Sequence, residues 1–311
     1  MEEEGLFFNS CGNWIKNYLQ QQQIQLDTFL KSEAILSSEK PIVVVTSGGT
    51  IAPLEKRLVR YIDNFSTGNR GAGAAESFLE HHCHVIFLYR EGSCCPYGRF
   101  FPKHCLEILH TYSLDGDHLS DNGKLIVPFQ KLAKATEQSR ILLLTFQTVT
   151  EYLYALRQIA LSLNPFGKRV IIFLAAAVSD FYIPESELPE HKISSTISQS
   201  HEEDEQSSQS SFLLRLYHVP KCLGWLKSKW APQAYVVAFK LETDANVLLE
   251  KAKHTIDKYG VDVVVANELT SRYEHVQLVN QQQQVIDRYS NDKTIEQVIV
   301  QNILDMHQRK G

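Results

Sequence analysis

Five short runs of apolar, largely β-branched residues punctuate this chain, and stretches of helical spacing separate most of them. The runs are Ile42–Val45, Val85–Tyr89, Val170–Ala177, Tyr235–Leu241 and Val261–Ala266. A strand with one face in water alternates polar and apolar residues, whereas a strand that is apolar throughout is covered on both faces. Helical patterns occupy 70–82, Ala245–Tyr259 and Lys293–Arg309. Strands alternating with helices imply βαβ crossovers, so the expected class is α/β, an open, mostly parallel sheet with helices on both faces. Val276–Val279 and Val285–Tyr289 flank a Gln run and read as a small β-hairpin extension. Lys124–Phe129 reads as a further strand, and Ile141–Phe146 as a strand or the start of a helix through Leu163.

With 311 residues, 43% hydrophobic and 22% charged, the chain can bury a full core without disulfides or metals. Its net charge of −5 excludes a general affinity for nucleic acid or anionic membrane and leaves room for a local basic pocket. The longest apolar run, Val170–Val178, is too short to span a bilayer. Six cysteines form no C-x-x-C pair, which suits free thiols in a reducing compartment. The acidic start, Met1-Glu-Glu-Glu-Gly5, reads as neither signal nor transit peptide, and the expected location is the cytoplasm. Residues 1–38 read as an N-terminal helical extension outside the main core, and 39–311 as the main domain. Within it, 194–211 is rich in Ser, Gln, Glu and Asp and reads as a flexible inserted loop.

Polar and glycine residues gather where the strands end. Thr46-Ser-Gly-Gly-Thr50 follows the first strand, where ligands of open α/β sheets bind. By itself this is as much a tight turn as a ligand loop. Asn64-Phe-Ser66-Thr67-Gly68-Asn-Arg-Gly71 leads into a helix, whose free N–H groups and dipole favour an anion; Ser66 or Thr67 can equally serve as an N-cap. Ala175-Ala176-Ala177 leaves room for a flat base or ribose, and Asp180 can accept hydrogen bonds from it or cap a turn. Lys192 can neutralise phosphate or simply be solvated. Phe239 can stack on a base or sit in the core, and Asn267 can read a base edge or serve a turn. Strand ends decorated in this way describe one site along one edge of a sheet.

The segments VTSGGTIAPLE, VRYIDNFSTGNRGA, FLAAAVSDFYIPESELPEHKI, AFKLETD and VVVAN, in this order, resemble the phosphopantothenate–cysteine ligase family from about Lys40 onward. The resemblance implies a Rossmann-like sheet with a small flap and an ATP-dependent ligation of L-cysteine to 4′-phosphopantothenate through an acyl-adenylate, with Mg²⁺ on the triphosphate. It also implies a homodimer that exchanges an active-site flap around 180–192, and the stand-alone form of an enzyme that bacteria fuse to a flavin-dependent decarboxylase. Bacterial members carry Lys-Ile-Lys-Lys and use CTP; Lys192-Ile193-Ser194-Ser195 here favours ATP. By resemblance, Gly48, Ser66, Gly68, Gly71, Ala176, Ala177, Asp180, Phe239 and Asn267 contact the nucleotide, joined weakly by Lys253. Asn64 holds the acyl-adenylate, Arg60 serves the cysteine attack and Lys192 faces the leaving pyrophosphate. The rival reading is an NADP-dependent oxidoreductase, with Arg90 after the second strand and a Tyr217-x-x-x-Lys221 spacing. Against it, the first glycine loop is not G-x-G-x-x-G and Pro220 interrupts the spacing. A catalytically silent nucleotide-binding homologue is the other alternative.

Overall fold

The computed structural model describes residues 2–10, 12–101, 113–115, 118–120, 126–194, 213–290 and 292–310. The strands are β1 (Ile42–Ser47), β2 (Ile51–Pro53), β3 (Tyr61–Asp63), β4 (His84–Arg90), β5 (Ser113–Asp115), β6 (His118–Ser120), β7 (Ile141–Phe146), β8 (Val170–Leu174), β9 (Phe181–Tyr182), β10 (Tyr217–His218), β11 (Tyr235–Glu242), β12 (Val263–Glu268), β13 (His275–Asn280) and β14 (Val285–Tyr289). Eight of them form one sheet in the order β14-β13-β12-β11-β8-β1-β4-β7. The six from β12 to β7 are mutually parallel. Numbered along the chain, those six run 3-2-1-4-5-6 across the sheet, the doubly wound Rossmann order. The hairpin β13–β14 adds two antiparallel strands at one edge, as its sequence pattern led one to expect.

Alternate residues of each strand feed two separate apolar layers. Val44, Ile172, Val236 and Val264 face helices Asn13–Leu30, Val149–Leu163 and Ala245–Tyr259. Val43, Val45, Ile171 and Phe173 face helices Asn69–Glu80 and Ile295–Lys310. Both sides of β1 are therefore dry, which is why Ile42–Val45 can be apolar at every position.

Two expectations need correction. Ile126–Glu137 is a helix rather than a strand; Pro128 lies in its first turn, where no backbone donor is required. The N-terminal helices belong to the main core rather than standing outside it. Ile15, Leu26 and Ile35 are completely buried in the first layer, the Gln22 amide donates to the Thr145 carbonyl at 2.8 Å, and the Tyr18 hydroxyl donates to the same oxygen. Glu4 accepts from Lys229 Nζ at 2.6 Å and from Trp230 Nε1 at 2.7 Å. The polar loop of 194–211 falls, Ser194 apart, outside the described residues. Ile141–Phe146 is a strand, and a separate helix, Val149–Leu163, follows behind a Thr148–Glu151 capping box.

Two small antiparallel ribbons, β2–β3 and β9–β10, lie beyond the sheet's carboxyl edge. They are joined to each other: the Lys56 amide donates to the Pro189 carbonyl at 3.0 Å. Fully buried Glu55 accepts from the Arg60 amide (2.9 Å), the Arg60 guanidinium (3.1 Å) and the Ile193 amide (3.3 Å). Burial pushes the Glu55 carboxyl up, but these donors outweigh it and hold the group below the usual carboxylate range.

Candidate active site

In a doubly wound sheet the crevice opens where successive strands turn to opposite sides, here between β1 and β8. The two turns leaving these strands are sewn together. The Ala177 amide donates to the Gly48 carbonyl (2.8 Å) and the Thr50 amide to the Ala177 carbonyl (2.9 Å). The Ser179 amide donates to Thr50 Oγ1 (2.9 Å). Gly48 has φ = +83°, and a Cβ there would lie 2.8 Å from Arg90 Cβ. A Cβ on Gly71 would lie 2.5 Å from Ser47 Cβ, so glycine lets helix Asn69–Glu80 settle directly on β1. Gly68, left-handed at φ = +81°, is the residue before that helix, and its carbonyl accepts from Ser47 Oγ at 3.0 Å. These three glycines set how closely the elements approach; the cavity wall is made by their neighbours.

The cavity holds about 700 Å³ along the ends of β8, β11 and β12. Ser66, Ala176, Ala177, Asp180, Phe239 and Asn267 all line it, as expected from the strand ends. Helix Asn69–Glu80 begins at its wall, with Asn69 and Arg70 lining it. Its first intrahelical bond is from Ala72 to the Gly68 carbonyl, which leaves the preceding amides free for an anion. Phe239 packs edge-on against Phe173 at 4.9 Å and also lines the cavity, so one side of the ring is core and the other is cavity wall. Asn267, 5% exposed, donates to the Val265 carbonyl at 3.0 Å, while its Oδ1 is buried with no partner.

Within a chain of net charge −5 this wall is basic: Arg70, Lys221, Lys240, Lys251, Lys258 and Arg272 line it. Lys221 pairs with Asp180 at 2.9 Å. Lys251 and Lys240 both pair with Glu242 (2.9 and 3.2 Å), and their hydrogen bonds hold the Glu242 carboxyl below its usual range. Of the basic cluster on helix Ala245–Tyr259, Lys251, His254 and Lys258 line the cavity and Lys253 does not. Arg70, Lys221 and Arg272 gave no local signal, since their roles depend on contacts with residues far away in sequence; helical spacing from Lys251 would have found His254 and Lys258.

Arg60, Asn64 and Lys192 sit apart from this wall, on and beside the ribbons. Arg60 Nη1 donates to the Ile193 carbonyl at 2.9 Å, so Arg60 and the Lys192 segment are brought together. Lys192 is exposed. Asn64 is held through its amide, which donates to the Thr50 carbonyl at 3.1 Å, next to cavity-lining Phe65 and Ser66. The oxidoreductase features do not assemble. Arg90 is paired with Asp63 at 2.5 Å, Tyr217 donates to Glu187 at 2.6 Å, and Lys221 points to Asp180 instead.

Residues 156–305 match the family model described as the DNA/pantothenate metabolism flavoprotein C-terminal domain. Phosphopantothenate–cysteine ligase 1 of Arabidopsis thaliana is 42% identical over 273 residues, 86% of this chain and 82% of that protein. The chain belongs to the phosphopantothenate–cysteine ligase family. The Homo sapiens ligase is 38% identical over 282 residues, covering 86% of each. A solved Cab2 mutant in complex with phosphopantothenate-cysteine superposes with a TM-score of 0.84 at 33% identity, over 98% of this chain and 97% of that one. That coverage extends the ligase likeness through the N-terminal helices, further than the motifs from Lys40 suggested.

Proposed function

We propose that this chain is a phosphopantothenate–cysteine ligase of coenzyme A biosynthesis, joining the amine of L-cysteine to the carboxylate of 4′-phosphopantothenate at the expense of ATP. The observation that carries the nucleotide assignment is Asn267. Its buried Oδ1 has no partner and it lines a basic cavity beside Phe239. An orphaned buried acceptor is costly, and a ribose hydroxyl or exocyclic amine of a bound nucleotide relieves it.

A carboxylate does not acylate an amine unaided, because its oxygen is a poor leaving group. In the proposed route the carboxylate oxygen attacks the α-phosphorus of ATP, and pyrophosphate leaves. The cysteine amine then attacks the acyl carbon, loses a proton, and AMP leaves with the electron pair of the broken C–O bond. The chain supplies position and charge: free amides at Asn69 and Arg70 face phosphate, Asn64 holds the acyl-adenylate, Lys192 faces the departing pyrophosphate and Arg60 serves the cysteine attack. Mg²⁺ arrives with the nucleotide. Such an ion would be held largely by phosphates and water; Asp180, paired with Lys221, is the carboxylate on the wall.

We further propose a homodimer in which the ribbons of one subunit complete the cavity of the other. Exposed Val59, Tyr61, Phe65 and Phe181 on and beside the ribbons support this, as does the separation of Arg60 and Lys192 from the cavity in their own subunit. A cytoplasmic location fits the free thiols at Cys83, Cys94 and Cys95; among the described residues no helix is long and apolar enough to cross a membrane. The deciding assay supplies 4′-phosphopantothenate, L-cysteine, Mg²⁺ and either ATP or CTP. AMP and pyrophosphate formed only with both other substrates support the route. ADP and phosphate would replace the adenylate by an acyl phosphate, and no turnover would reject the ligase.

A further inference from the structure

The loop after β12 crosses the mouth of the cavity and carries Leu269, Arg272 and Tyr273 on its wall. It is anchored from below. Arg70, in the first turn of helix Asn69–Glu80, is mostly buried. It pairs with Glu296 at 3.0 Å, and its Nη2 donates to the Arg272 carbonyl. A buried ion pair that spans two helices costs desolvation on both sides; here it yields a fixed backbone position for one loop residue. The Arg272 side chain is itself ordered: its guanidinium lies 4.5 Å over the Tyr273 ring, and Nη1 donates to the Leu269 carbonyl.

Arg272 differs from most cations of the wall in having no acid. Arg70, Lys221, Lys240 and Lys251 each hold a carboxylate. Among the described residues Arg272 and Lys258 have none, and Lys258 is an exposed side chain beside Tyr259. Arg272 Nη2 also reaches the Tyr273 hydroxyl at 3.4 Å, so both Nη atoms hold the guanidinium in place; with no carboxylate on it, its remaining N–H donors are left for phosphoryl oxygens. The same cavity holds the unpartnered Asn267 Oδ1, five residues earlier in the chain.

We propose that Arg272 binds a phosphoryl group of a substrate at the cavity mouth, and that Arg70 is the residue that positions it. The assignment rests on the ligase reading for the identity of the substrates, and two of them carry phosphate, ATP and 4′-phosphopantothenate.

The test measures binding by calorimetry to the full-length wild type, Arg272→Gln, Arg272→Lys and Arg70→Met, with ATP against adenosine and 4′-phosphopantothenate against pantothenate. Arg272→Gln is expected to weaken one phosphorylated ligand by about tenfold or more, to leave its unphosphorylated partner unchanged, and to keep the melting temperature. The ligand that weakens identifies the source of the phosphate. Arg272→Lys is expected to recover part of the loss, because it keeps the charge without the guanidinium. Arg70→Met is expected to show the same phosphate-selective loss together with a lower melting temperature. Unchanged affinity for both phosphorylated ligands in Arg272→Gln overturns the proposal, as does an equal loss for phosphorylated and unphosphorylated partners. Turnover of the wild type is recorded separately. An inactive wild type whose ATP affinity still depends on Arg272 rejects the ligase and keeps the assignment; an active wild type with an indifferent Arg272 does the reverse.

Discussion

Glu55 is a single carboxylate on which two distant segments converge, and its titration is measurable. Its folded pKa lies below the 4.5 expected for an unfolded glutamate, so the folded state binds fewer protons in that range. The stability it contributes is complete above pH 4.5 and is lost as pH falls through the folded value. Thermal melts of wild type and Glu55→Gln are therefore expected to converge as pH is lowered below 4.5 and to differ most near neutrality. A constant gap across that range would contradict the role. Asn64→Asp is expected to retain nucleotide binding and abolish turnover, since the carboxamide is replaced by a charge that repels the anionic phosphoryl group of the acyl-adenylate; unchanged turnover would remove Asn64 from the chemistry. At this scale the sequence showed which residues end the strands, and Ala176, Ala177, Asp180, Phe239 and Asn267 do meet in one cavity. It did not show how charges pair. Lys221 finds Asp180 across 41 positions and Arg70 finds Glu296 at the far end of the chain; only the folded sheet brings such residues together.

At the scale of elements, contact distance decides what is tolerated. Gly71→Ala places a methyl 2.5 Å from Ser47 Cβ, so the helix must move away from β1. The expected loss is about 1–3 kcal/mol in denaturant unfolding, with a weaker affinity for nucleotide because the helix amides retreat with it. In the N-terminal helices, Leu26→Ala empties a fully buried site and is expected to cost about 2–5 kcal/mol, as much as a lesion in the central sheet. A surface helix would give far less. The apolar runs made the sheet strands legible because both faces of the sheet are dry. Ile126, Val127 and Phe129 carry the same residue types and yet start a helix, with all three exposed. Local composition was misleading there because β-branched and aromatic residues signal a strand only when a sheet covers them. The N-terminal helices were misplaced for the converse reason: their helical spacing was plain, but not the surface they pack against.

At the scale of the whole molecule, the cavity and the arm formed by the ribbons with Arg60 and Lys192 lie apart within a single chain, and the proposed function needs them in one site. Sedimentation is expected to report a dimer. Lys192→Ala and Asn267→Ala are each expected to be inactive. Mixing and re-equilibrating them is expected to restore about a quarter of wild-type activity, because half the dimers become mixed and one of their two sites is intact. No recovery in a dimer proven to exchange subunits would place arm and cavity of one site on the same chain.

The stitching between the turns after β1 and β8 has a consequence for how this enzyme can change. The turns are joined by main-chain donors and carbonyls of Gly48, Thr50 and Ala177, and no side-chain replacement other than proline removes a peptide donor. This floor beneath the cavity is thus fixed when the chain folds, whatever side chains surround it. On the proposed function, altered preference among nucleobases is expected to arise on the rim, in residues such as His254 and Lys258 whose exposed side chains are free to vary. A library confined to those rim positions would explore substrate choice while leaving the foundation of the site intact.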